Sequence, residues 1–284
     1  MKRITQFAIF LSVFSSIYFL LNWFVFSQIA VYLGIEKNTL YWALLLFATF
    51  SFLIATLIEN SMSNLLSKSI YFLASVWMGF LFIQSTIFLI AFIAHFINRH
   101  HLFLSNPLGA FVGYVLLGLG ISISLYALFN ACRIKIKKIT IQNKKIKHPL
   151  HIAHLSDLHL GPIHKYAYLE RIVKKVNELK ADHVMITGDL IDGPGKLPDD
   201  LLEDLNKIKV PIYYSVGNHE LYIGIDHARR LIKNTKAHFL DNEMMHTKDM
   251  TVLGIEHSED NGILAKKLPA FSIDKNKFNV LLYH

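Results

Sequence analysis

The chain has one cysteine, Cys132, among its 284 residues. That excludes an intramolecular disulfide framework and any paired-cysteine zinc or redox site. Cys132 closes an apolar run and reads as a helix-end residue rather than an acylation site. Charge is scarce in the first half: residues 1–131 carry five Lys or Arg and two Asp or Glu, against 24 and 19 in residues 132–284. No basic module interleaved with aromatics accompanies the net charge of +8. The positives cluster after the last apolar run, as they do on the flank of a membrane helix, and nucleic acid is not an expected partner.

Apolar residues, by contrast, make up 53% of the chain, and mean hydropathy is +0.37. That is too apolar for an ordinary soluble protein and points to membrane spans. Four stretches reach the length of about 20 residues that a bilayer requires: 7–30, 40–58, 70–97 and 108–131. The first is too long for a signal-peptide core and has no small-residue cleavage site, so it reads as retained. Trp23, Tyr32, Tyr41, Trp42 and Tyr71 lie towards span ends, where amphipathic rings favour the interface. Gly113, Gly118 and Gly120 are expected to let the fourth span pack closely.

Basic residues set the expected orientation. Lys2, Arg3, Lys68, Arg133, Lys135, Lys137 and Lys138 fall on one side, and only Lys37 and Arg99 on the other. Both termini are therefore expected in the cytoplasm of a multi-pass inner or plasma membrane protein. His95, Arg99, His100 and His101 read as interfacial anchors, because a transport path needs several buried ionisable partners and the other spans have almost none.

Residues 132–149 form a basic linker or edge strand, with Ile134, Ile136, Ile139 and Ile141 partly alternating with seven Lys and Arg. From residue 150 strands alternate with helices. Strands are expected at 150–156, 183–187, 211–216, 238–240, 251–254 and 279–283, and helices at 166–180, 198–208 and 226–234. Leu169, Ile172, Val173, Val176 and Leu179 make one helical stripe. Repeated βαβ units imply a largely parallel sheet, whose ligands bind beyond the carboxyl ends of the strands.

Those ends carry the chemistry. The first strand ends in Asp157-Leu-His159, the second in Gly188-Asp189-Leu-Ile-Asp192, the third in Gly217-Asn218-His219-Glu220, and the last apolar strand in His284. Singly each is weak, since a Gly-Asp after a strand is often a turn. Four in succession, on parallel neighbours whose tips converge, point to a metal site. Carboxylate, imidazole and amide donors suit Mn²⁺, Fe or Zn²⁺. Twelve of the fifteen His lie from His148 onward. Of these His154 reads as packing, and His151, His183, His238, His246 and His257 as surface or structural. His164 and Tyr222 flank the motif loops, while Asp192 and Glu220 read as loop-orienting.

The segments SDLHLGP, ITGDLID and GNHELY resemble the successive motifs of the calcineurin-like metallophosphoesterases. With the apolar half they resemble its bacterial membrane-associated branch, the YkuE/YaeI-type phosphodiesterases. The resemblance implies four transmembrane helices over residues 1–131, followed over 150–284 by an α/β domain forming the first half of a four-layer αββα sandwich. It implies two divalent metal ions (Mn, Fe or Zn). Asp157 and His159 would hold the first, Asp189 would bridge both, and Asn218 and His284 would hold the second. His219, not a ligand, would stabilise or protonate the leaving oxygen, with Asp157 helping to fix its position. A cation pair of this kind activates water for in-line attack on a phosphoester and neutralises the phosphoryl oxygens.

The family's last motif, Gly-His-x-His, is absent from the chain. The domain is therefore expected to be incomplete at its C-terminus and weakly active or inactive alone. The leading expectation is a membrane-anchored metal-dependent phosphodiesterase or phosphomonoesterase whose anchor favours a lipid-linked or nucleotide-lipid substrate. The competing one is a non-catalytic membrane protein with a truncated, degenerate phosphoesterase domain. A metal transporter with a His-rich sensor domain fits poorly, because the spans lack polar ligands. A reporter fused after Cys132 should give a cytoplasmic signal; a periplasmic one overturns the charge argument.

Overall fold

A computed structural model describes residues 2–101, 109–258 and 260–284. The chain divides into two compact units, Met1–Lys135 and Ile136–His284.

The first unit is four helices: α1 (Lys2–Leu33), α2 (Thr39–Met62), α3 (Leu65–His101) and α4 (Ala110–Ala131). Each contains a stretch long and apolar enough to span a membrane, of 29, 24, 33 and 22 residues respectively. The expected start of the fourth span at 108, and the side chains of Arg99, His100 and His101, lie outside the described residues. Most large apolar side chains on these helices face outward, as lipid-facing helices require. The helices meet through small and polar residues. A Cβ on Gly113 would collide with Tyr32, and one on Gly120 with the Gln84 side chain. Gly118, expected to serve the same purpose, has open space beside it instead. Trp77 donates its indole N–H to Asn22 Oδ1 at 3.2 Å, a polar clamp between α1 and α3. Tyr32 and Tyr41, read from sequence as interfacial, are 9% and 6% exposed and pack inside the bundle.

The turn from α2 to α3 is locked by a buried acid. Glu59 accepts from Ser63 Oγ at 3.0 Å and from Ser67 Oγ at 2.5 Å, while Asn64 and Ser67 exchange side-chain-to-backbone hydrogen bonds at 2.9 Å. Those bonds satisfy donors at the start of α3 that no preceding turn can reach.

Residues 133–142, which include the boundary between the units, have no regular secondary structure. The edge-strand expectation fails here: no described strand lies alongside to complete a ladder, and a row of like charges opposes pairing. From residue 152 the βαβ pattern takes over. A parallel sheet runs in the order β1 (Ile152–Leu155), β2 (His183–Thr187), β3 (Ile212–Ser215) and β4 (His238–Phe239). Because spatial order follows chain order, right-handed crossovers place α5 (Tyr166–Glu178) and α7 (Ile225–Lys233) on the same face. The stripe expected on α5 is buried at Leu169, Ile172, Val173 and Val176, but Leu179 lies past the helix end and is exposed. Short α6 (Asn218–Ile223) precedes α7.

The helix expected over 198–208 is a series of tight turns ending in a 3₁₀ segment, Glu203–Lys207. Its bonds run three residues apart: Leu201 N to Pro198 O, Leu205 N to Leu202 O, and Ile208 N to Leu205 O. Leu202, Leu205 and Ile208 are all buried, and a spacing of three lines up on a three-residue turn, not on a 3.6-residue one. Tyr166 ties this segment to α5 by donating to Asp200 at 2.6 Å, which pushes the phenol pKa up to about 12.

A second sheet has β6 (Thr251–Gly254) in the centre, antiparallel to β5 (Glu243–His246) and parallel to β7 (Asn279–Leu282). Helix α8 (Asn261–Lys267) lies between β6 and β7 in the chain. Met185 and Tyr213 of the first sheet form one core with Val252 and Leu282 of the second, joined by Leu240 and Met250. Alternation along β2 and β3 sends Val184, Ile186, Ile212 and Tyr214 to the other face. The architecture is an α/β domain built on a parallel sheet, packed on a second, smaller sheet.

Gly254 joins the sheets closely: a Cβ there would press into the Leu240 backbone, with the carbonyl carbon 3.0 Å away. Gly254→Ala should destabilise the domain by about 1–3 kcal/mol through overpacking. Gly118→Ala, with open space beside it, should leave thermal unfolding unchanged. Equal melting points for the two variants would refute this account of the core.

Candidate metal centre

The tips of β1, β2 and β3 face one another because the strands are parallel and in register, with Leu155 paired to Ile186 and Thr187 to Ser215. Beyond each tip the chain must turn at once. Gly188 does so at φ +66°, and a Cβ there would come within 2.6 Å of Gly217 Cα and 2.7 Å of His284 Cβ. Asp157, His159 and Asp189 adopt left-handed conformations as well, at φ +57°, +45° and +52°. Half of the six described non-glycine residues with positive φ are therefore the first three expected ligands. Each is about 1–3 kcal/mol less stable there than in ordinary conformations, so the surrounding hydrogen bonds must hold it.

The main restraint is Glu220, third residue of α6 and fully buried. Its Oε1 accepts from the backbone N–H of Leu190 at 2.7 Å and of Ile191 at 3.1 Å. Its Oε2 accepts from Asp189 N–H at 3.0 Å and Gly217 N–H at 2.8 Å. One carboxylate thus ties the loop after β2 to the loop after β3. Tyr214, buried nearby, has its phenol pKa pushed well above 10, first by burial and then by the charge of Glu220.

Asp189 is 3% exposed. Its Oδ1 accepts the His219 backbone N–H at 3.0 Å, which leaves Oδ2 towards three imidazoles. The Nε2 atoms of His284, His219 and His159 lie 3.2, 3.8 and 3.9 Å from Oδ2, and His159 Nε2 is 4.0 Å from Asp157 Oδ1. Two groups of ligand-competent side chains result, Asp157–Asp189–His284 and His159–Asp189–His219, each with its donor atoms within 4.8 Å of one another. Asp189 belongs to both.

A buried carboxylate facing three ring nitrogens is compensated by positive charge, and a hard-to-borderline divalent cation matches that oxygen and nitrogen donor set. The residues present fit metal ions. Asn218, whose amide was expected among the ligands, occupies the first position of α6 and is half-buried.

The rings are oriented from behind. Asp192 Oδ2 lies 3.2 Å from His159 Nδ1, and its Oδ1 lies 2.6 Å from His219 Nδ1. At His159 this is a hydrogen bond, which fixes ring orientation and leaves Nε2 for the site. At His219 it is a close approach without hydrogen-bond geometry. His159 and His219 meet edge to face with centroids 4.6 Å apart. His284 Nδ1 lies 3.0 Å from Thr187 O, and His257 Nδ1 reaches the His284 carbonyl at 2.8 Å.

Several of these supports escaped the sequence reading. Asp192, read as orienting its loop, also backs His159. His257, read as surface or structural, has a structural role, holding the segment bearing His284. Ser156 donates to Thr187 O at 2.9 Å, joining the tips of β1 and β2, and also bonds the Asp157 carboxylate. His154, expected to pack inside, is exposed and bonded to Thr187 Oγ1 at 2.7 Å. Only the placement of Ser156 beside the first ligand hinted at such a role. Of the residues flanking the motifs, Tyr222 is 67% exposed and packs edge-on against His219, 5.4 Å between centroids. His164 stacks on Tyr168 at 4.4 Å, and burial, then the neighbouring His159, lowers its pKa.

Comparison with known proteins fits this geometry. Residues 150–276 match the family model for calcineurin-like phosphoesterases. A metallophosphoesterase of Campylobacter jejuni is 32% identical over 157 residues, covering 53% of this chain and 42% of that protein. One from Aquifex aeolicus is 24% identical over 176 residues, covering 58% of this chain and 67% of that protein. A transmembrane protein with a metallophosphoesterase domain from Danio rerio is 32% identical over 145 residues, covering 49% of this chain and 32% of that protein. The chain thus spans about two fifths of the Campylobacter jejuni protein and a third of the Danio rerio one. It combines four membrane-length helices with an α/β domain that matches the metallophosphoesterase family model.

Glu220→Gln keeps the size of the side chain but turns one acceptor into a donor facing backbone N–H groups. The domain should lose about 2–4 kcal/mol, read as a lower midpoint in urea unfolding. An unchanged midpoint would mean that the two loops do not depend on this carboxylate.

Proposed function

We propose that this protein is a membrane-anchored, metal-dependent phosphoesterase that hydrolyses phosphodiesters or phosphomonoesters at the Asp157–His284 centre. The observation that carries the reading is Asp189: a buried carboxylate shared by two groups of ligand-competent side chains on converging strand tips. The family match over 150–276 and the membrane-spanning relatives support it. Within the family, the bacterial membrane-associated YkuE/YaeI-type branch is the one we assign.

In this reading Asp157 and His159 would hold one divalent ion, Asn218 and His284 a second, and Asp189 would serve both. Mn²⁺, Fe or Zn²⁺ would fit. Bound there, such ions supply positive charge to the phosphoryl oxygens and acidify an attacking water. Asn218 contributes a neutral oxygen, so the site gains a ligand without a charge that repels phosphate. His219 delivers a proton from Nε2 to the leaving oxygen, and Asp192 at its Nδ1 stabilises the protonated ring that does so. Asp189 Oδ1, bonded to the His219 amide, sets the distance between proton donor and carboxylate. The substrate class we favour is a lipid-linked phosphoester, such as a phospholipid or nucleotide-diphosphate lipid, because four spans keep the enzyme at a bilayer. The basic flanks favour a catalytic domain on the cytoplasmic face of the plasma membrane.

With Mn²⁺ and a generic aryl phosphodiester, Asp189→Asn should lower turnover by at least about a hundred-fold, the upper range for loss of even a ligand-supporting residue. Asp192→Asn should lower it by about ten- to a hundred-fold while retaining metal. Wild-type rates in Asp189→Asn would favour a non-catalytic membrane protein carrying a degenerate domain.

A further inference from the structure

The segment between the last span and the first strand has a composition that the phosphoesterase reading does not use. From Glu59 to Asp157 the chain contains no acidic residue. Within that interval, Arg133, Lys135, Lys137, Lys138, Lys144, Lys145 and Lys147 follow directly on the end of α4. All seven are exposed, and among the described residues none makes an ion pair. Arg133 lies 4.1 Å from the centroid of the Phe129 ring, at the end of the span. The interleaved isoleucines are exposed too: Ile136 by 45%, Ile139 by 71% and Ile141 by 75%. An Asx turn folds the run back, with Asn143 Oδ1 accepting Lys145 N–H at 3.0 Å and Asn143 O accepting Ile146 N–H at 3.1 Å. Two basic clusters, 133–138 and 144–147, therefore flank a single bend.

We infer that residues 133–147 form a binding surface for anionic lipid headgroups in the leaflet into which α4 ends. Two independent features carry it. Seven unpaired cations with no nearby anion form a site for negative charge, and a chain leaving a membrane span is held within reach of headgroups by its own continuity. The three exposed isoleucines match the interface between headgroups and acyl chains, where apolar side chains leave water while neighbouring lysines stay at the phosphates. A strand in water would bury such isoleucines against a partner. No described strand pairs with them, and a bilayer surface accepts both residue types at once.

The test uses the full chain in nanodiscs of neutral phosphatidylcholine, or of phosphatidylcholine mixed with phosphatidylglycerol. Trypsin cleavage after Arg133, Lys135 and Lys147 is followed by mass spectrometry, with cleavage after Lys175 in the phosphoesterase domain as internal reference. Cleavage within the segment should be roughly tenfold slower in the anionic discs, the size expected when several lysines engage charged headgroups. Protection should vanish at high salt. The quadruple variant Lys137→Gln, Lys138→Gln, Lys144→Gln, Lys145→Gln, which leaves the three monitored sites intact, should lose it as well. Equal cleavage in both discs would overturn the inference and leave a solvated linker. Protection in the quadruple variant equal to wild type would also overturn it, because shielding would then come from the disc and not from the charges. Protection by a short RNA with none from anionic lipid would do the same.

Discussion

The centre rests on the four hydrogen bonds to Glu220. Three expected ligands sit in left-handed backbone conformations that L-residues avoid, and such geometry persists only where it is over-determined. Glu220 provides that by gathering N–H groups from the loops after β2 and β3 onto one buried carboxylate. The bonds are charge-assisted and out of water, so each is stronger than its solvent-exposed equivalent. Gly188 and Gly217 make the arrangement possible, because any side chain at either would occupy space needed by the neighbouring loop.

Built on this frame, the centre is a set of nested carboxylates with different tasks. Glu220 binds only backbone. Asp189 binds one backbone amide through Oδ1 and turns Oδ2 towards three imidazoles. Asp192 lies behind two of those imidazoles, hydrogen-bonded to His159 and within ion-pair distance of His219. Asp157 is the exposed member. Exposure increases outward in the same order, so the charges that must be matched by structure are buried and the one available to a ligand is open.

The βαβ rhythm and the strand-tip motifs were legible in the chain because they depend on local rules: period-two and 3.6-residue apolar spacing, glycine at sharp turns, and ligand-type residues just beyond them. Other features were not. Glu220 reads in sequence as loop-orienting, but nothing local says that four amides from two loops converge on it. Residues 198–208 carry the composition of a helix, but burial at Leu202, Leu205 and Ile208 selects the tighter 3₁₀ winding. His154 has the position of a packed strand residue, yet its face of β1 is open. The isoleucines of 134–141 alternate as a strand would, yet among the described residues no strand pairs with them. Gly113, Gly118 and Gly120 are alike in sequence, and only the neighbouring helices decide that the first and last make close contacts.

Sequence by itself therefore determined the division into an apolar helical half and an α/β half, the identity of the strand-tip residues, and the donor types available to a metal. These follow from composition, period and spacing, which are properties of short stretches. Tertiary structure alone decided how deeply Asp189 is buried, that Asp192 backs His159, and that Glu220 gathers four amides from two loops. Those roles depend on which atoms meet across about 30 residues of chain and on how deeply each is buried. Burial sets the strength of a charge's interactions, and it is a property of the packed molecule.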